Sequence, residues 1–377
     1  MTNTAAPAAA EESQVVRVQD VEAALSRWVK SIQGSGETPA LCARMSNLVI
    51  YCDRAALAQA VAAEVPAIVA VHPARVVLVI GEAESAGDEL VASILVRPHM
   101  GEGRRLICSE QVTLHAKGAA CGRLPFAVRG LLIGDLPTNL WWAAPEPPAL
   151  AGALMFELAE HAQQIVYDSI GWLEPARGVA ATASWLARVE RDVGQGPWRV
   201  VSDLNWRRLK YWRRLLAQAL DPASAPGAVD SITEVLIEHG PHAVVQAWEI
   251  ASWLAARVGW RVQAGKVEPG VEICWQFTAP RSAVRVRIHR LAEGPPEVRR
   301  MRIACTLDCK PTAFDLVVQD SFRLAVIPEE SKTAARTLAT RPLPIADLVG
   351  RQLSDRERDP IFRESMTVAG VLAESVM

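Results

Sequence analysis

The amino-acid sequence predicts an α/β protein in two parts: an N-terminal mixed-sheet α/β sandwich domain over residues 16–200, then an α+β domain with an antiparallel meander over 201–330. Three observations lead there. In the first half, short Val/Ile-rich runs alternate with stretches that repeat apolar residues every three or four positions, as strands separated by helices do. After Trp260 the pattern becomes strict alternation, the mark of half-buried antiparallel strands. The chain of 377 residues also exceeds the roughly 250 to 300 at which a single hydrophobic core stops growing.

Residues 1–15 are rich in Ala, Pro and acid and read as a disordered tail. Val21, Leu25, Trp28 and Ile32 then share one helix face, and G-S-G-E-T-P ends that helix. Runs at 44–52 and 75–80 read as strands, and the Ala-rich stretch between them carries Leu57, Val61, Val65, Ile68 and Val69. A crossover helix of that length implies parallel strands. Alternating runs at 90–96 and 106–115 read as an antiparallel pair, followed by a helix over 117–133, a strand at 139–142, a helix at 150–160 and a strand at 165–168. A Trp-containing helix at 180–193 leads through G-Q-G-P-W to Asp203.

The second part opens with long helices at 203–220 and 242–258, separated by a strand at 232–237, and Gly259 closes the later helix as a C-cap. Strands at 271–277, 283–289, 299–307, 314–318 and 322–327 are parted by turn residues such as A-P-R-S and E-G-P-P. Residues 331–377 form a helical, partly frayed C-terminal segment with helical spacing at 346–353.

Composition narrows the function classes. Forty basic residues against forty-two acidic give a formal charge of -2, so no global field exists to hold nucleic acid or an acidic membrane. The N-terminus M-T-N-T-A-A-P has no basic region followed by an apolar core, and no apolar run approaches the roughly 20 residues a membrane helix needs. A cytoplasmic protein is expected. Seven scattered cysteines point to reduced thiols rather than a disulfide framework. Cys305 and Cys309 would sit on one face of a strand, four rises of ~3.3 Å apart, which favours core packing over a bridge or shared metal.

Chemistry-bearing motifs are sparse. G-S-G-E-T-P and G-E-G-R-R-L both lack the third glycine of a dinucleotide-binding loop, and no phosphate-cradling G-x-x-x-x-G-K-[ST] occurs, so no cofactor is expected. His239 and His242 straddle a Gly-Pro turn without a Cys or carboxylate set to complete a metal site. Glu110 and His115 fall on opposite faces of a strand and cannot work as an acid/base pair. Asp168-Ser169 at a strand end is either a ligand-facing carboxylate or a turn, and no nucleophile elbow supports the former. No catalytic residue is assigned.

Tryptophan is what stands out, with twelve against three Tyr and six Phe. On the helix from Asp203, Trp206, Leu209, Trp212, Leu216 and Leu220 share one half, Arg207, Lys210 and Arg214 lie opposite, and Arg208 and Arg213 border the apolar stripe. That pattern is either a core-facing stripe with a solvated back or an interface anchor, since Trp and Arg supply most hot-spot energy. Adjacent Trp141 and Trp142 on a strand must point to opposite faces, leaving one for a second layer or for a partner.

H-P-A-R-V-V-L-V from His72, S-E-Q-V-T-L from Ser109, D-L-P-T-N-L-W-W from Asp135 and D-L-N-W-R-R-L-K-Y-W-R-R-L-L-A-Q-A-L-D from Asp203 resemble the glucose-6-phosphate dehydrogenase assembly protein family, OpcA. The likeness covers about residues 40–260 and becomes one of layout beyond Trp260. It implies a non-catalytic partner that binds glucose-6-phosphate dehydrogenase, promotes its active oligomer and raises flux into the oxidative pentose phosphate pathway. Trp206, Trp212, Arg208, Arg213, Trp141 and Trp142 are then the candidate contacts. The competing reading is a sugar-phosphate-binding enzyme or sensor using Arg44 and Arg75 with Asp168. Both arginines precede their strands, at the edge opposite the one where such ligands sit.

Overall fold

The computed structural model describes residues 13–34, 44–100, 106–191, 199–307, 309–320, 323–328, 336–340 and 343–377. Two eight-stranded sheets organise them. The first contains β1 (Gln14–Val16), β2 (Ser46–Cys52), β3 (Ala74–Glu82), β4 (Leu90–Met100), β5 (Leu106–Lys117), β6 (Thr138–Trp142), β7 (Gln164–Tyr167) and β8 (Val200–Asp203), in the order β1-β4-β5-β3-β2-β6-β7-β8. From β5 to β8 every neighbouring pair is parallel, while β4 runs antiparallel to β5 and β1 antiparallel to β4. The expected mixed sheet is therefore present.

Both faces of this sheet are covered, which explains why its central strands are near-continuous apolar runs. Every residue of β2 is buried. Alternate positions serve different layers: Leu48, Ile50, Val76, Leu78 and Trp141 join the core built with α2 (Ala55–Val71) and α9 (Ile345–Ser354). Val49, Tyr51, Val77, Leu140 and Trp142 join the larger core with α1 (Val21–Gly34), α3 (Leu124–Arg129), α4 (Gly152–Leu158) and α5 (Pro175–Arg191). The two adjacent tryptophans are thus divided between layers, as a strand requires.

The second sheet contains β9 (Glu234–His239), β10 (Arg261–Glu268), β11 (Glu272–Thr278), β12 (Ala283–Arg290), β13 (Val298–Leu307), β14 (Lys310–Asp320), β15 (Arg323–Pro328) and β16 (Arg336–Ala339). Its order is β10-β11-β12-β9-β13-β14-β15-β16. The expected meander is interrupted once: β9 lies between β12 and β13, parallel to the first and antiparallel to the second. α8 (Val244–Val258) and α10 (Pro360–Glu374) cover one face, and the indoles of Trp248 and Trp275 meet edge to face at 4.9 Å. Gly259 ends α8 in the left-handed region at φ 71, so the Trp260 N–H can reach back to the Ala255 carbonyl at 3.0 Å.

Some expectations fail for identifiable reasons. Gln14–Val16 pairs with β4, so this end of the expected tail forms a strand, and the first twelve residues lie outside those described. The helix expected over 117–133 is a short 3-10 segment followed by α3, with glycines at 118, 122 and 130 and Pro125 in the first turn. The helix expected over 203–220 divides at Leu209 into α6 (Leu204–Arg208) and α7 (Lys210–Ala219). Cys305 is a buried core residue, but Cys309 is exposed in a turn with φ 62, so the two do not share a strand face. After residue 353 the C-terminal segment forms a second helix, α10. Phe362, Met366, Ala369 and Leu372 bury one stripe of α10, which packs against α5 and α8.

Candidate functional site

The tryptophan and arginine motif leaves the first sheet at the C-terminal end of β8. Asp203 caps α6, accepting the Asn205 N–H at 2.8 Å, and the same oxygen accepts the Ser169 N–H at 3.2 Å. This places Trp206 against the C-terminal helices. Its Nε1–H donates to Asp359 Oδ2 at 2.7 Å, its ring centroid lies 5.4 Å from that of Phe362, and the Arg213 guanidinium stacks 3.5 Å from the ring centre. Arg213 also donates to the Trp206 carbonyl at 2.7 Å. Burial pulls the Arg213 guanidinium down to about 10, although Glu249 and Asp359 oppose that. Asp359 in turn accepts the N–H groups of Ile361 and Phe362 at 2.9 and 3.0 Å, capping α10.

Arg207 donates to Gln352 Oε1 and to Asp355 Oδ2, each at 2.8 Å. Between these helices lies a groove of about 360 Å³, lined by Trp206, Arg207, Lys210, Arg213, Asp355, Glu357, Arg358, Asp359 and Phe362 among others. Two of the six candidate contacts, Trp206 and Arg213, therefore line one groove. The other four do not. Trp212 is a core residue beside Leu216, and Trp141 and Trp142 are buried in their two layers. Trp142 stacks on Tyr51 at 4.3 Å and donates to the Glu146 carbonyl at 2.9 Å. Arg208 forms a two-pronged pair with Asp168, both bonds at 2.7 Å, and donates to Asn205 Oδ1 at 2.9 Å.

Behind this pair sits an acidic cluster of which the sequence had singled out Asp168 alone. Asp168, Asp203 and Glu249 converge from the ends of β7 and β8 and from α8. Neither carboxylate oxygen of Glu249 receives a conventional hydrogen bond among the described residues, and its polar neighbour is the Asp203 carboxyl. Two carboxyl groups can bond to each other only if one keeps a proton. Burial, followed by repulsion from Asp168, pushes Asp203 up to about 7, and burial with Asp203 next to it raises Glu249 well above the carboxylate range. Burial alone would depress Arg208, but its bonds to Asp168 and the nearby Asp203 outweigh that and raise it.

The residues of the competing reading are not brought together. Arg75 is buried and donates to Glu110 at 3.1 Å and to Glu22, and Arg44 pairs with Glu110 as well. Both lie at the N-terminal edge of the first sheet, whereas Asp168 follows β7 at the C-terminal edge and is taken by Arg208. The N-terminus of α2, where a dinucleotide fold would seat a phosphate, holds a carboxylate of the chain itself: Glu82 Oε1 accepts the Ala55 N–H at 3.1 Å. His115 bonds the other oxygen at 2.9 Å, and these two hydrogen bonds hold Glu82 below its ordinary value and hence ionised. The signals for the overlooked acids were in the sequence, a lone carboxylate inside the apolar A-W-E-I-A-S-W and an Asp-Pro pair opening a helix.

Comparison with known proteins agrees on the fold and identifies the family. An oxidoreductase structure from Sinorhizobium meliloti superposes with a TM-score of 0.51 at 10% identity, covering 89% of this chain and 97% of that one. At that identity the likeness is one of fold. Proteins provisionally named OxPP cycle protein OpcA are 35% identical over 165 residues in Nostoc punctiforme, covering 44% of this chain and 33% of that one, and 32% identical over 218 residues in Synechocystis, covering 56% and 43%. The chain thus spans about a third to two fifths of the length of these curated relatives. Family models described as the glucose-6-phosphate dehydrogenase subunit N-terminal domain and C-terminal domain match residues 65–184 and 199–366. With both halves matched in order, the chain belongs to the OpcA family of glucose-6-phosphate dehydrogenase assembly proteins.

Proposed function

We propose that this protein is a non-catalytic assembly factor and allosteric activator: it binds glucose-6-phosphate dehydrogenase in the cytoplasm, favours its active oligomer and so raises flux into the oxidative pentose phosphate pathway. The family match over both halves supports the choice of partner. The observation that carries the non-catalytic part is Glu82, which fills from within the phosphate position of a dinucleotide-type fold. Activation works by differential affinity, the protein binding the active oligomer more tightly than the inactive form. A ~100-fold shift needs only about 2.7 kcal/mol of difference. A few anchors supply that.

The groove between α6, α7 and α10 is the docking surface in this reading. Trp206 and Arg213 line it and Lys210 stands exposed along it, whereas Arg208 is paired with Asp168 and Trp212, Trp141 and Trp142 are buried in the cores. Mixing the purified protein with the same organism's dehydrogenase, then measuring mass by light scattering and rate by NADPH formation, is the test. A larger complex and faster turnover are expected. Lys210→Glu should weaken both while leaving thermal stability unchanged. A dehydrogenase of unaltered mass and rate in the presence of the wild-type protein refutes the proposal.

A further inference from the structure

A second concavity, of about 340 Å³, opens between the two halves, and the groove described above has no part in it. The segment after β7 brings Trp172 and Leu173 to one side, and β9, α8 and the β10–β12 strands bring His239, Val244, Ile273, Ile288 and Arg290 to the other. The Gly171 N–H donates to the His242 carbonyl at 2.9 Å, and His242 adopts the left-handed region at φ 68, a conformation few L side chains adopt.

The lining is mostly apolar, and its polar members include Arg290, the acids Glu268 and Glu272, and His239 and His242. Arg290 is exposed and its guanidinium has no ion pair or hydrogen-bond acceptor among the described residues. The acid next along the wall, Glu272, is engaged by Arg287 at 3.3 Å. His239 donates Nδ1–H to the Gly240 carbonyl at 2.7 Å, which leaves Nε2 as an acceptor. Burial, aided by Arg290 and His289, lowers that imidazole and keeps it neutral. Leu173, 93% exposed at the mouth, is an apolar side chain left without cover.

We propose that this cleft binds a small organic anion with an apolar body about the size of one aromatic ring, the anion paired to Arg290 and the body seated against Trp172, Ile273 and Ile288. Apolar walls with a few convergent polar groups, in a volume of several hundred Å³, are what small-molecule sites have in common. A charge-assisted contact to a guanidinium fixes the ligand's orientation. Because the walls come from both halves, an occupant ties the halves together and stabilises the whole chain. The proposal stands independently of dehydrogenase binding.

The probes are 3-phenylpropionate and its neutral counterpart 3-phenylpropan-1-ol, titrated into the full chain and read by ligand-observed saturation-transfer NMR and thermal shift. The acid should bind at least about tenfold more tightly than the alcohol, the size of one charge-assisted hydrogen bond. Arg290→Gln should bring the two affinities together without moving the unliganded melting temperature. Val271→Trp, a change at an exposed position lining the cleft, should block both ligands. Equal binding of acid and alcohol to the native chain, undiminished binding to Val271→Trp, or no binding of either up to about 10 mM overturns the proposal.

Discussion

Replacing Glu249 with glutamine should make the protein more stable than the native sequence in mildly alkaline solution. Asp203 stays protonated up to about 7 in the folded chain against 3.8 for an unhindered carboxyl. The folded state therefore holds a proton that the unfolded state has released, and raising the pH through the window between about 4 and 7 favours unfolding. At ~1.36 kcal/mol per unit, a gap of about three units sets a ceiling of ~4 kcal/mol on that loss. Glu249 is itself raised well above the carboxylate range by burial with Asp203 next to it, so it adds to the loss, and the Glu249→Gln change removes that share. The variant should exceed the native protein by roughly 2 kcal/mol at pH 8 and by little at pH 5. Urea unfolding midpoints of both proteins at both pH values give the comparison. His72 and His239, whose folded values are lowered by burial, act with the opposite sign, since their contribution is lost as the pH falls. They are common to both proteins and cancel in the difference. Parallel pH curves for the two proteins would show that Asp203 and Glu249 share no proton.

Asp359→Ala deletes the bond to the Trp206 indole and both cap bonds of α10. It should cost about 2–3 kcal/mol by urea denaturation, and a cost below that of a surface substitution would refute the capping role. Arg208→Lys replaces a two-pronged bond to Asp168 with a point charge and should cost roughly 1–3 kcal/mol, with the solvent reaching this pair already discounted. Recovery in the double variant with Asp168→Asn is the check. Trp142→Ala empties a site stacked on Tyr51 and should cost about 3–5 kcal/mol, which near-UV circular dichroism and denaturation together can follow. Gly240→Ala would place a Cβ 1.9 Å from the Pro295 carbonyl oxygen, so soluble expression should fall sharply.

Much of the fold was legible because burial leaves a periodic trace. The all-apolar runs of β2 and β3, the Gly259 cap and the alternating strands from β11 to β15 were each visible in the residues. What escaped lacked such a trace. β10 is almost wholly exposed and reads as polar, β8 has only four residues, and the insertion of β9 between β12 and β13 depends on long-range pairing that no local pattern encodes. At the site, the spacing correctly grouped Trp206, Leu209, Trp212, Leu216 and Leu220 on one buried stripe. It could not show that Trp206 is held by Asp359, a residue 153 positions away, or that Arg208 finds its acid across the sheet edge. A helical wheel records which side of a helix is apolar but says nothing about what arrives to cover it.

The position of α10 bears on how the chain is made. Its stripe covers α5 and α8, and the Leu372 carbonyl accepts the Trp275 indole N–H at 3.1 Å. During synthesis those partners emerge from the ribosome well before α10 does. A nascent chain then carries bare indoles at the seam between its halves, and the seam can close only after translation has passed Leu372. Stalled or truncated products would present that seam to chaperones, and the cell's inventory of working protein would depend on a helix that appears late.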